Sequence, residues 1–311
     1  MRTLICGSLA YDTIMVFEGR FKDQILPDQV HILNVSFLVP ALRREFGGTA
    51  GNIAYNLHLL GGKPVVMACV GEDAGPYVER LHKLGFEIGH VKTAPGAFTA
   101  QAFITTDLDD NQITAFHPGA MSGSPVNHVG DAKDIGLAII APDSRDGMVQ
   151  HARELADANI PFVFDPGQGL PMFSGTELME FIDLAAYVTV NDYEAKMLAD
   201  RTGRTFDELA KSVEALVVTQ GGLGSTIYAK GRVHIIPSVR PERIADPTGC
   251  GDAYRGGLLY GLANGMDWET TGRLASTMGA LKIAHQGPQN HAPSRDHIAE
   301  IFASVFGYTP W

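Results

Sequence analysis

The sequence predicts an α/β fold: a central, mostly parallel sheet flanked by helices, with a small, separate β-sheet beside it. Three observations carry this. Short apolar runs repeatedly end in Gly, Asp or Asn and lead into stretches of helical spacing, the pattern of βαβ units. Two other stretches alternate apolar and polar residues instead. The 311 residues, 45% hydrophobic and 19% charged, supply core enough for one large domain.

In chain order, the candidate parallel strands are 4–7, 65–71, 137–141, 162–165, 187–191 and 215–221, with helical spacing in intervening segments such as 148–159 and 193–202. Ligands in such sheets sit beyond the carboxyl ends of the strands, where these Gly, Asp and Asn residues fall. The core is expected to comprise 1–10, 47–96 and 119–311. Residues 11–46 and 97–118 are the alternating insertions, with the run Gln101-Ala102-Phe103-Ile104-Thr105 and the turn Asp109-Asp110-Asn111 as examples. They read as a β-sheet lid that excludes water from whatever lies below; the competing reading is an extended edge of the main sheet.

Charge and cysteine usage narrow the function classes. Lys and Arg number 24 against 35 Asp and Glu, a net charge of −11, which argues against nucleic acid as a partner. A small phosphate ligand stays open, because backbone N–H groups and a metal ion can hold it. Cys6, Cys69 and Cys250 are far apart and form neither a disulfide framework nor a CxxC site, so a reducing cytoplasm is expected. No signal-peptide pattern and no apolar run long enough to span a membrane occur, so no membrane association is expected. The GxxxxGK[ST], GxSxG, HExxH and complete GxGxxG patterns are missing, which lowers Walker-type nucleotide, hydrolase, zinc-protease and dinucleotide readings. The 11 histidines show no ligand spacing.

Four motifs carry chemistry. In Asp246-Pro247-Thr248-Gly249-Cys250-Gly251-Asp252, small residues permit a tight turn, and the apolar run that follows starts a buried helix. Consecutive N–H groups there form an anion cradle, and Asp252 beside it reads as a general base facing a substrate hydroxyl, or else as a plain helix cap. Gly47-Gly48 followed by Asn52 is a second Gly-rich helix start, suited to sugar hydroxyls or simply to a turn. Asn191 and Glu194, three residues apart after a strand, can hold a hydrated Mg²⁺ or form a capping box. Thr219 leads into Gly221-Gly222-Leu223-Gly224, a nucleotide loop or a β-hairpin turn.

Together and in this order, these elements resemble the ribokinase-like family, the PfkB carbohydrate kinases, over nearly the whole chain, with Asp12 after the first strand as a further match. The resemblance implies a ribokinase-like fold and transfer of the ATP γ-phosphoryl group to a primary alcohol. Asp252 would then take the hydroxyl proton, and Gly249, Cys250 and Gly251 would stabilise the moving phosphoryl charge. Asp12, Gly47, Gly48 and Asn52 would bind the substrate; Asn191, Thr219, Gly221, Gly222 and Gly224 would join Gly249 and Gly251 around ATP. Asn191 and Glu194 would organise Mg²⁺ through water. A monovalent cation, K⁺, would lie behind the cradle, with Asp246 and Thr248 on one side and backbone near Lys282 and Gly287 closing it. Cys250 departs from the usual Ala or Gly and predicts sensitivity to thiol reagents.

The wording of 46–52, 246–255 and 286–291 is most similar to bacterial nucleoside kinases of adenosine-kinase type, implying a role in purine salvage; ribokinase and fructokinase share the core motifs. A non-catalytic nucleoside or sugar sensor is the other class, and the presence of Asp252, Asn191 and Glu194 favours the enzyme. Phe17, Phe37, Phe103 and Phe116 are candidates either for stacking on a base or for lid core. Monomer and homodimer both fit.

Overall fold

The computed structural model describes residues 1–25, 35–109 and 111–311; residues 26–34 of the first insertion, and Asp110 of the turn named above, lie outside the described residues. The chain runs β1 (Arg2–Cys6), β2 (Ala10–Val16), α1 (Phe21–Gln24), β3 (Ala41–Gly47), α2 (Thr49–Leu59), β4 (Lys63–Val70), α3 (Gly75–Lys83), β5 (Val91–Thr93), β6 (Ala100–Thr106), β7 (Gln112–His117) and β8 (Ile135–Ile140). It continues through α4 (Arg145–Asp157), β9 (Phe162–Phe164), α5 (Gly175–Leu184), β10 (Tyr187–Asn191), α6 (Asp192–Thr202), α7 (Phe206–Ser212), β11 (Ala215–Thr219), β12 (Ser225–Ala229), β13 (Arg232–Ile236), α8 (Cys250–Ala263), α9 (Trp268–Ile283) and α10 (Arg295–Phe306).

Nine strands form one sheet in the order β13-β12-β11-β10-β9-β8-β1-β4-β5. Pairing is parallel from β11 to β5 and antiparallel only at the β11-β12-β13 edge. The apolar runs are continuous because both faces are covered. Ile5, Val66 and Ile139 point to a core shared with α2, α3, α8, α9 and α10, where Ile53, Tyr77, Leu259, Leu274 and Phe302 pack. Their neighbours Leu4, Val65 and Ile140 point the other way, to Met148, Phe181, Leu198 and Leu209 on α4 to α7. The strand period of two assigns alternate residues to the two cores.

The second sheet, β3-β2-β6-β7, shares no strand with the first, so the insertions do not extend its edge. It is mixed: β2 pairs antiparallel with β3 but parallel with β6, which pairs antiparallel with β7. The Tyr11, Phe46 and Tyr77 rings, 5.0–6.0 Å apart, pack its base against α3. Phe17, Phe21 and Phe37 cluster within 6.0 Å of one another, so Phe17 and Phe37 pack in the small sheet's own apolar cluster. Among the described residues no helix is long and apolar enough to cross a membrane.

Candidate active site

The carboxyl ends of β1, β8, β9, β10 and β11 open on one side of the large sheet, and the N-termini of α2, α6 and α8 meet them there. Gly249 caps α8 with φ +79°, a left-handed conformation that glycine adopts without strain, and a Cβ there would lie 2.7 Å from the Pro288 ring. The helix begins at Cys250, so Asp252 lies inside its first turn and is not its cap. Cys250 N–H donates to Pro247 O at 3.1 Å and Ala253 N–H to Gly249 O at 2.9 Å. The N–H groups at this turn left without a partner among the described residues are therefore those of Gly249, Gly251 and Asp252. Burial pushes the Cys250 thiol up to about 11, which favours its protonated form at neutral pH.

Asp252 faces α2. Buried Asn52 donates its Nδ2 to Asp252 Oδ2 at 2.8 Å. The amide's orientation is fixed from behind. Gln289 Nε2 donates to Asn52 Oδ1 at 3.0 Å and to the Tyr77 hydroxyl at 2.8 Å, while Arg80 Nε donates to Gln289 Oε1 at 3.2 Å. A flipped Gln289 would set its oxygen against the Asn52 oxygen and its NH₂ against Arg80. One turn further along α2, Asn56 Nδ2 donates to Asn52 O at 2.9 Å. Asn56 Oδ1 lies 2.8 Å from Nε2 of buried His291, whose burial lowers its pKa to about 3 and keeps the ring neutral.

Burial pushes the Asp252 carboxyl up to about 7, with Asp165 and Asp12 adding to the rise and the Asn52 hydrogen bond and Arg255 opposing it. A carboxyl of this kind can take a proton near neutral pH. Across the opening, Asp12 on β2 rises to about 6, again through burial first, then through Asp246 and Glu45. Its carboxylate lies against the Cα of Gly47, closer than any Cβ would allow. Such a desolvated ring of carboxylates suits an uncharged ligand that brings hydroxyl donors.

The register of the small sheet sorts the remaining aromatic candidates. Asp12 pairs with Ala102, and Ala102 with Phe116, so the three form one row on the face that looks into the site. Phe116 is 53% exposed there. Phe103 belongs to the opposite face, in the row of Thr13.

Asn191 and Glu194 make a reciprocal capping box: Asn191 Oδ1 accepts from Glu194 N at 2.7 Å, and Glu194 Oε2 from Asn191 N at 2.8 Å. Burial raises the Glu194 pKa, and nearby Asp165 adds to the rise. Thr219 pairs with Asn191 across β11 and β10, which puts both at adjoining strand ends. Gly221, Gly222 and Gly224 form the β11–β12 hairpin turn, so that structural reading holds for their backbone; Gly221 and Gly222 are exposed.

The expected cation donors come together differently from the sequence reading. Asp246 Oδ1 accepts from Thr248 N, and Oδ2 from Gly287 N, both at 2.9 Å. Lys282 brings its side chain to the same place: Nζ donates to Asp246 O at 2.7 Å and to His285 O at 3.2 Å, with the residue fully buried.

Several site residues escaped the sequence reading. Arg255 on α8 clasps Asp165, beyond β9, through two 3.0 Å hydrogen bonds, and its Nη1 lies 3.4 Å from Gly251 O. Its signal was an arginine inside an apolar helical run. Gln289 and His291 lay within the family-like segment 286–291 but had no assigned contacts.

A mostly parallel sheet with a separate small sheet beside it, and a carboxylate in the first turn of a glycine-capped helix, match the ribokinase-like pattern. A family model described as pfkB family carbohydrate kinase matches residues 12–295, and the chain belongs to that family. A nucleoside kinase of Methanocaldococcus jannaschii is 31% identical over 273 residues, covering 86% of this chain and 88% of that protein. The structure of Burkholderia thailandensis nucleoside kinase in complex with inosine is 59% identical, with TM-score 0.91 and 99% of each chain covered. Its complex with ADP-inosine is 61% identical with TM-score 0.89, covering 99% of this chain and 97% of that one.

Proposed function

We propose that this kinase transfers the γ-phosphoryl group of ATP to the 5′ hydroxyl of a ribonucleoside, with Asp252 as general base. The observation that carries the reading is the Asn52–Asp252 contact at the glycine-capped start of α8, which holds a carboxyl of pKa about 7 beside free helix N–H groups. In that geometry Asp252 accepts the hydroxyl proton as the oxygen attacks, and the N–H groups of Gly251 and Asp252, with the α8 dipole, stabilise charge on the phosphoryl oxygens. The inosine and ADP-inosine complexes of the Burkholderia relative support the acceptor class.

The ribose 2′ and 3′ hydroxyls are bound by Asp12 and Asn52, with the base against Phe116. ATP lies along the ends of β10 and β11, with its phosphates towards α8. Asn191 and Glu194 offer hard oxygen donors that fit Mg²⁺ through its waters. Among the described residues no three His, Cys, Asp or Glu side chains are grouped so that they could hold a metal ion. Mg²⁺ there would neutralise phosphate charge. The chain fits a cytoplasmic enzyme of purine salvage, with the two insertions acting as its lid.

The test is ADP release with Mg-ATP and a panel of ribonucleosides, 2′-deoxynucleosides, ribose and fructose. The proposal expects the highest kcat/KM with a ribonucleoside. Preference for ribose or fructose would transfer the activity to a sugar, and ADP release with no acceptor in the panel would overturn it.

A further inference from the structure

Lys282 is one of the largest fully buried side chains in the protein. It stands in the last turn of α9, and its ammonium reaches two carbonyl oxygens on separate segments: His285 O just past the helix, and Asp246 O in the loop that enters the anion cradle. The same loop is held to α9 by Ala245 N and Asp246 N, which donate to Ile283 O at 2.8 and 3.2 Å. The charged groups around the ammonium are Asp246, Asp252 and Arg43, with the Cys250 thiol alongside.

The ribokinase-like resemblance implies a monovalent cation in this place, and the residues present do not fit one. Asp246 O, on the side where such an ion would bind, already receives the ammonium at 2.7 Å, and each carboxylate oxygen of Asp246 already accepts an N–H. A K⁺ drawn to the same carbonyl would press against a fixed positive charge in a poorly solvated site. The donor set suits an ammonium with N–H donors to direct, and a structural C-cap alone would not require its complete burial or its reach to the cradle loop.

We infer that the Lys282 ammonium takes the place of the monovalent cation, supplying from the chain itself the single positive charge behind the 249–252 cradle, so that the kinase works without K⁺. The inference rests on the kinase reading for its activity arm only.

The experiment compares wild type and Lys282→Ala in KCl and in choline chloride at equal ionic strength, reading both turnover and melting temperature. Wild type is expected to be indifferent to K⁺ in both. Lys282→Ala removes the charge and leaves a space lined by carbonyls. Its kcat is expected to fall about tenfold or more in choline chloride. K⁺ or methylammonium should restore part of that rate and raise the variant's melting temperature. Wild-type activation by K⁺ of about tenfold or more would overturn the inference. So would a Lys282→Ala variant with wild-type turnover in choline chloride, or a folded variant that neither cation affects. Should Lys282→Ala fail to fold, the wild-type comparison decides alone. If no nucleoside is phosphorylated in any salt, the kinase reading fails, while the melting temperatures still decide the role of Lys282.

Discussion

Replacing Asp252 by Asn should make the protein more stable while removing most of its turnover. The wild-type carboxyl is pushed up to about 7 by burial. The folded state therefore favours the protonated form, and ionisation weakens the fold as pH rises from the unfolded value, about 3.9, through 7. A rise of about three units at ~1.36 kcal/mol each amounts to about 4 kcal/mol above pH 7. Water reaching a half-buried group reduces this, leaving about 2–4 kcal/mol for the neutral variant to regain. The new carboxamide oxygen still accepts from Asn52, so that contact persists. Turnover should fall about 10²–10⁴-fold, because a carboxamide takes no proton. Thermal melts of both proteins at pH 8 and pH 4, paired with kcat at pH 8, provide the assay. The variant should melt several degrees higher at pH 8, and the gain should shrink towards pH 4, where both side chains are neutral. A variant that melts lower at pH 8, or that gains equally at both pH values, would refute the electrostatic reasoning.

Wild-type kcat/KM should rise with pH and level off above about 7, where Asp252 is ionised; a profile flat from pH 5 to 9 would separate Asp252 from the proton transfer. Glu194→Gln should raise the Mg²⁺ concentration for half-maximal rate, since one anionic oxygen near the hydrated ion becomes neutral, and an unchanged titration removes that role. Asp12→Ala should collapse an initial ribo-over-deoxyribo preference of about tenfold or more in kcat/KM towards one; a preserved ratio places diol recognition elsewhere. Phe116→Ala should raise the nucleoside KM about tenfold, the loss of one base-stacking contact, with kcat nearly retained, and an unchanged KM excludes stacking there.

The elements legible in the sequence were those written locally. The run 187–191 coincides with β10 because its apolar residues run directly into a capping box, a short-range signal. The Gly-rich helix starts were equally visible, since the Asp12 carboxylate at Gly47 and the Pro288 ring at Gly249 lie too close for a Cβ. What the sequence withheld depends on distant partners. The parallel pairing of β2 with β6 joins segments far apart in the chain, and no local pattern specifies it. The Arg255–Asp165 clasp, the Gln289 bridge between Asn52 and Tyr77, and the Lys282 ammonium on Asp246 O are likewise products of folding. A lysine near a helix end ordinarily reaches solvent, so only the packed structure shows that this one turns inward.

The most direct test of the central claim is the identity of the phosphorylated product. With Mg-ATP and inosine, ³¹P NMR of the product should show a phosphomonoester coupled to two protons, as a 5′-phosphate requires, alongside ADP. A phosphorus coupled to one proton would mean transfer to a secondary hydroxyl. That result, or ADP with unchanged inosine, would contradict a site built to bring the 5′ oxygen to Asp252.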